Sequence, residues 1–148
     1  MKKAIIGVLV LLIGIAVGIV VAGRIFFPDN IAQTFPDGGA KNLNTRTYQS
    51  DAASARKASK EVIAGLSTWG GSWKLVDETD GGAEARLKVE VPVVIFTDDL
   101  EVTIKDAGDG MVEVNVKSQS RVGKSDFGEN ARHVRKFLDA LDKKLKQE

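Results

Sequence analysis

Cysteine is absent from this 148-residue chain. That excludes disulfide stapling, thiol nucleophiles and thiolate metal sites together. Histidine occurs once, at position 133, so a metal site built from several imidazoles is excluded too. No metal and no cofactor is expected. Neither sign of charge dominates, with 21 Lys and Arg against 20 Asp and Glu. Without Lys2, Lys3 and Arg24, which flank an apolar run, 18 basic residues remain against the same 20 acidic ones. A surface without a basic surplus has no general affinity for phosphate polymers, so nucleic acid is not an expected partner. Proline is scarce, at three, and the aromatics amount to six Phe, two Trp and one Tyr. A domain made from such material must hold together by an aliphatic core.

What is present is concentrated at the start. Residues 4–23 carry no charged or polar side chain. As a helix this run measures about 30 Å, the thickness of a bilayer's hydrocarbon core. Ile25, Phe26 and Phe27 continue it past Arg24 until Pro28. Residues 1–27 are therefore expected to be a retained single-pass anchor, with residues 4–27 in the lipid bilayer. The alternative is a secreted protein whose signal peptide is cleaved before Gly23, with Val20 and Ala22 as the small-residue pair. Lys2 and Lys3 favour a cytoplasmic N-terminus in the cell (inner) membrane. The C-terminal domain would then be extracytoplasmic, in the periplasm of a Gram-negative cell. Gly14, Gly18 and Ala22 recur every four residues, a small-residue face of the kind that lets membrane helices approach. A homodimer or a partner membrane helix is one reading of that face; the abundance of glycine in membrane helices is the other.

Residues 28–47 read as a linker, with Pro28, Pro36, Gly38 and Gly39 and no sustained period. Residues 48–148 read as one α+β domain. From Asp51 the period is helical, Asp51 or Ser50 can cap its start, and Ala55, Ala58, Val62, Ile63 and Leu66 share one stripe. Strands are expected at 73–77, 84–91, 100–105 and 111–118; the last three alternate apolar and polar residues. Ala131, Val134, Leu138, Leu141 and Leu145, with Phe137 beside them, mark a final amphipathic helix. Asp126 and Glu129 suggest a capping box at its start. The order α-β-β-β-β-α predicts a two-layer domain, with a four-stranded antiparallel sheet covered on one face by two helices.

Candidate chemistry is densest between the last strand and the final helix. Ser118, Ser120, Arg121, Gly123, Ser125, Asp126 and Asn130 lie there, and Asp98 and Asp99 are the natural partners of Arg121. A helix N-terminus with an adjacent guanidinium suits a carboxylate or phosphate head group. The bland alternative is a cap, a turn and an ion pair. Asp98 and Asp99 point to opposite faces if extended, so they do not address one bond as an acid–base pair. His133, between Arg132 and Val134, is expected to face solvent. Trp69 and Trp73 flank Gly70-Gly71 and are stacking candidates, although a Trp opening a strand is more often core.

The pattern Phe96-x-Asp98-Asp99, a strand, then Ser118-x-Ser120-Arg121-Val122-Gly123-x-Ser125-Asp126-Phe127-Gly128-x-Asn130-x-Arg132 resembles the domain-of-unknown-function family 1499. Thr45-Arg46-Thr47-Tyr48 resembles the start of that domain, and the likeness spans residues 44–145. The resemblance implies an envelope or membrane-associated protein and no established reaction. Many members carry a cysteine-containing segment ahead of the Thr-Arg-Thr region; here residues 28–43 have none. The expected role is thus a membrane-anchored binding or interaction module for a partner protein or a small anionic or lipid head group. A hydrolase-like enzyme using Asp98, Asp99 or Asp126 with Arg121 is the less favoured alternative.

Overall fold

A computed structural model of the chain describes residues 2–26 and 28–146. Phe27, counted above in the apolar extension of the anchor, lies outside the described residues. Helix α1, Lys2–Phe26, is long and apolar enough to cross a membrane, a description that a signal sequence also meets. Its side chains are exposed, and Gly23 is its one buried residue.

The chain enters the domain immediately. Strand β1, Ile31–Gln33, is followed by a single 3₁₀ turn at Gly39–Lys41, and strand β2 runs Arg46–Gln49. Helix α2, Ala52–Gly65, begins where the Asp51 carboxylate accepts the Ser54 amide at 2.8 Å, so of the two capping candidates, Asp51 and Ser50, it is Asp51 that caps. A short hairpin follows, β3 at Ser67–Thr68 and β4 at Gly71–Ser72. Four longer strands come next: β5, Lys74–Asp80; β6, Glu84–Val93; β7, Phe96–Gly108; and β8, Met111–Ser120. Helix α3, Glu129–Leu145, closes the fold.

The sheet has six strands, not the expected four. The additional two are β1 and β2, which lie end to end along the free edge of β8, β1 against residues 117–119 and β2 against residues 111–114. The order is β1 and β2, then β8, β7, β6 and β5, every pair antiparallel. The expected order α-β-β-β-β-α is corrected accordingly, with two strands ahead of α2 and the β3–β4 hairpin after it. The stretch read as a linker thus carries β1 and the start of β2. Strands of three and four residues have no local period to betray them; their place is set by pairing with a strand far along the chain.

The two-layer α+β architecture is as the alternation demanded. Leu87, Val89 and Val91 of β6, Leu100, Val102 and Ile104 of β7, and Val112, Val114 and Val116 of β8 are buried under the helices. Helix α2 covers them with Ala55, Ala58, Val62 and Ile63, and α3 with Val134, Phe137, Leu138 and Leu141. The charged residues between those strand positions line the other, wet face. A polar clamp fixes the N-terminal strands to α3: Tyr48 Oη donates to Asp142 Oδ1 at 2.9 Å, and Arg46 Nε to Asp142 Oδ2 at 3.1 Å. Burial pushes the Asp142 carboxyl up, but the hydrogen bonds from Tyr48, Arg46 and Lys146 outweigh it and leave its pKa lowered. Burial and the Asp142 carboxylate together push the Tyr48 hydroxyl far up.

Candidate functional site

Alternation along β7 divides the paired aspartates. Asp99 lies on the wet face, where Arg121 Nε donates to its Oδ1 at 2.9 Å and Arg121 Nη2 to Glu90 Oε1 at 2.8 Å. These hydrogen bonds raise the guanidinium's pKa further. A shallow hollow of about 390 Å³ on that face is lined in part by Arg121, Asp99, Gln119 and Lys88. Asp98 points the other way and is buried beneath α3, only 4% exposed. Burial raises its pKa, with the Asp126, Glu129 and Asp99 carboxylates adding to the effect and a Ser120 hydrogen bond opposing it.

The remaining residues of the 118–130 stretch form a polar knot. Asn130 is fully buried, and its amide nitrogen reaches Ser120 Oγ at 2.8 Å, Asp126 Oδ2 at 2.6 Å and the Asn30 carbonyl at 2.9 Å. Its amide oxygen accepts from Ser118 Oγ at 2.6 Å. Asp126 also caps α3, accepting the Gly128 and Asn130 backbone N–H groups, each at 2.8 Å. It fills the capping role from two residues before the N-cap, because Gly128 itself adopts a left-handed conformation at φ 79°. Gly123, at φ 90°, turns its carbonyl to Asn30 Nδ2 at 2.8 Å, and Ser125 Oγ donates to the Gly23 carbonyl of α1 at 3.1 Å. The structure therefore gathers Asp98, Ser118, Ser120, Asp126 and Asn130 on the helix side. Arg121 and Asp99 stand on the opposite face, and Ser125 reaches α1. Asp98, Asp99, Asp126 and Arg121 do not share one cleft. Gly14, Gly18 and Ala22 lie on the exposed part of α1, with open space where a Cβ would stand at Gly14 and Gly18.

His133 corrects the solvent-facing expectation. It is 1% exposed, on the buried stripe of α3 between Asn130 and Phe137. Its Nδ1 stands 3.6 Å from Asp98 Oδ2 and its Nε2 3.3 Å from Glu129 Oε1. Neither contact has hydrogen-bond geometry, so both ring nitrogens are unpaired among the described residues. Burial lowers its pKa, with Arg132 helping and Glu129 and Asp126 opposing, so the ring is neutral at pH 7. Trp73 packs edge-on against it, ring centroids 5.9 Å apart at 80°, and its indole nitrogen is likewise unpaired.

His133 forms part of the wall of a cleft of about 500 Å³ between α3 and the tips of two hairpins. Thr68 and Trp69 come from the β3–β4 tip, Val93 and Val94 from the β6–β7 tip, and Glu129, Arg132 and Lys136 from α3. Arg132 Nε holds Glu129 at 2.8 Å, and Lys136 reaches the Ser67 carbonyl. Trp69 is 99% exposed at the rim. Spacing in the sequence contained one signal for this site, since positions 130, 133, 137 and 141 repeat at three and four and place His133 on the inward face. The hairpin contribution had none.

No curated protein matches the chain. The family described as "Protein of unknown function (DUF1499)" matches residues 28–141, from just after α1 through most of α3. That match covers both N-terminal strands, Arg46 and Tyr48 of the clamp and all the α3 residues of the cleft, and the chain belongs to this family.

Proposed function

We propose that this is a membrane-anchored binding domain that receives a small anionic head group in the cleft beneath Trp69. The observation that carries this reading is His133, a buried imidazole with both nitrogens unpaired beside an open cleft. A buried polar group without a partner is costly, about 1–3 kcal/mol. It becomes worthwhile when a ligand completes it. The neutral ring has one N–H to donate, and Arg132 and Lys136 stand at the rim with charge of the sign an anion needs. A ligand oxyanion would take Arg132 from Glu129, exchanging one charge-assisted bond for another. The apolar walls, Val93 and Val94 with the Trp69 ring, suit the carbon skeleton of a head group. Arg121 supports such a role less well, because two carboxylates, Asp99 and Glu90, hold its guanidinium, where among the described residues a single carboxylate, Glu129, holds that of Arg132.

In this reading α1 stays attached as a single-pass anchor. Lys2 and Lys3 hold the N-terminus in the cytoplasm, and the domain faces the extracytoplasmic side. The test uses the full chain in detergent, titrated with water-soluble glycerophosphoglycerol and, separately, with inorganic phosphate. Trp69 fluorescence is the readout. Saturable binding of glycerophosphoglycerol is expected, weakened about tenfold or more in Arg132→Ala/Lys136→Ala, a loss of about 1.4 kcal/mol. Tighter binding of phosphate would assign the cleft to a free anion instead. Equal affinity in the double variant, or no saturable change, overturns the proposal.

A further inference from the structure

The cleft opens beside the apolar end of the domain, and the two hairpin tips there are unusually greasy for exposed turns. Trp69 is 99% exposed, Ile95 81%, Val94 69% and Phe96 51%. The tips touch: a Cβ on Gly70 would sit 2.7–2.8 Å from the Pro92–Val94 backbone. Their side chains thus form one patch. Contiguous exposed apolar surface of this kind marks an interaction site.

The connection to α1 indicates what covers it. Four residues, 27–30, separate α1 from β1, and the five steps from residue 26 to residue 31 span at most about 17 Å. Ile31 pairs with Gln119, which pairs with Asp99, which pairs with Glu90. β1 then runs away from that end of the sheet, so α1 attaches at the end where the β6–β7 turn projects. Beyond Glu90, the strand and its turn continue to Ile95, at most about 16 Å at ~3.3 Å per residue. The turn therefore reaches back over roughly the length of the tether, to the level of the helix end. Two contacts fix the helix there: Ser125 Oγ on the Gly23 carbonyl at 3.1 Å, and the Phe127 ring against Gly23, where any Cβ would overlap it. Val122, 60% exposed, lies in the same loop.

We infer that the Trp69 and Val94–Ile95–Phe96 tips enter the interface of the bilayer that α1 crosses, so that the cleft opens at the lipid surface. The inference rests on α1 being retained as a membrane span. An exposed Trp with aliphatic neighbours at headgroup level is what an interface favours, since the ring is apolar and its N–H stays wet. The occupant is lipid because the patch shares its level with the end of an apolar helix, and no soluble partner is needed to cover it.

The experiment uses the full chain in phosphatidylcholine vesicles containing lipid brominated high on the acyl chain. Both tryptophans lie outside α1, so the anchor is silent in fluorescence. Replacing Trp69, almost wholly exposed, by Phe isolates its signal by difference without touching the core. The expected result is that bromolipid removes roughly half or more of the Trp69 emission, while aqueous iodide quenches it weakly. In Val94→Asp/Ile95→Asp, still inserted as judged by alkaline extraction, the bromolipid effect should vanish and iodide quenching rise. Strong iodide quenching and no bromolipid effect in the inserted wild-type chain would overturn the inference. Failure of glycerophosphoglycerol binding with bromolipid quenching intact would sink the head-group reading alone.

Discussion

His133 gives the domain a pH response whose sign follows from its burial. Its folded pKa lies below the ordinary 6.5, so below that value the unfolded chain binds a proton that the folded one resists. Stability is therefore lost as pH falls from about 6.5 toward the lowered folded pKa. Asp98 acts in the opposite sense: its raised pKa makes the folded state bind a proton before the unfolded one, so stability is gained as pH falls through that raised value toward 3.8. Urea unfolding of wild type at pH 7 and at pH 5.5 should show a loss that His133→Asn largely removes. An equal loss in both chains would mean that His133 is not the group responsible. The same residue shows where a sequence can be read and where it cannot. Period 2 along β7 already separates Asp98 from Asp99, and the structure bears that separation out. Spacing along α3 likewise places position 133 inward. Its basic flanks, Arg132 and Arg135, suggest solvent, and only the partners beneath the helix decide between the two.

At the level of elements, β6, β7 and β8 were legible because each carries its own evidence, an apolar face opposite a charged one. β1 and β2 carry almost none, and their stability is borrowed from β8 and from α3. The clamp of Tyr48 and Arg46 on Asp142 is the part of that attachment most open to measurement. Asp142→Ala leaves the half-buried Tyr48 hydroxyl without its acceptor, so a loss of about 1–3 kcal/mol is expected in urea unfolding. Amide exchange should accelerate first in residues 46–49 and in the facing residues 111–114. Uniform acceleration across the whole sheet would show that the clamp supports the core at large. The polar knot around Asn130 was also half legible. Its members on the 118–130 stretch were singled out by the sequence as ligand candidates, whereas Asn30, which completes it, was not. The structure spends their hydrogen bonds on one another, which is how a buried turn between a strand and a helix satisfies its backbone.

For the molecule as a whole, the junction between α1 and the domain sets the geometry. Gly23 is the point where helix and domain touch, and the Phe127 ring occupies the space a side chain would need. Gly23→Leu should separate the two, with domain stability in urea unchanged. Spin labels on α1 and α3 should report a broader distance distribution in that variant than in wild type. An unchanged distribution would mean that the four-residue connection alone sets the orientation. Successive residues on a helix are about 100° apart, so Gly23 faces a different direction from the Gly14, Gly18 and Ala22 face. Contact with the domain and contact with a second membrane helix would therefore use different sides of α1. The Gly23–Phe127 contact makes the helix a spindle with the domain keyed to it. If α1 spans a bilayer as proposed, rotation of the helix about its own axis, by a neighbouring helix or by a change in lipid thickness, would carry the domain round with it and swing the mouth of the cleft along the membrane surface.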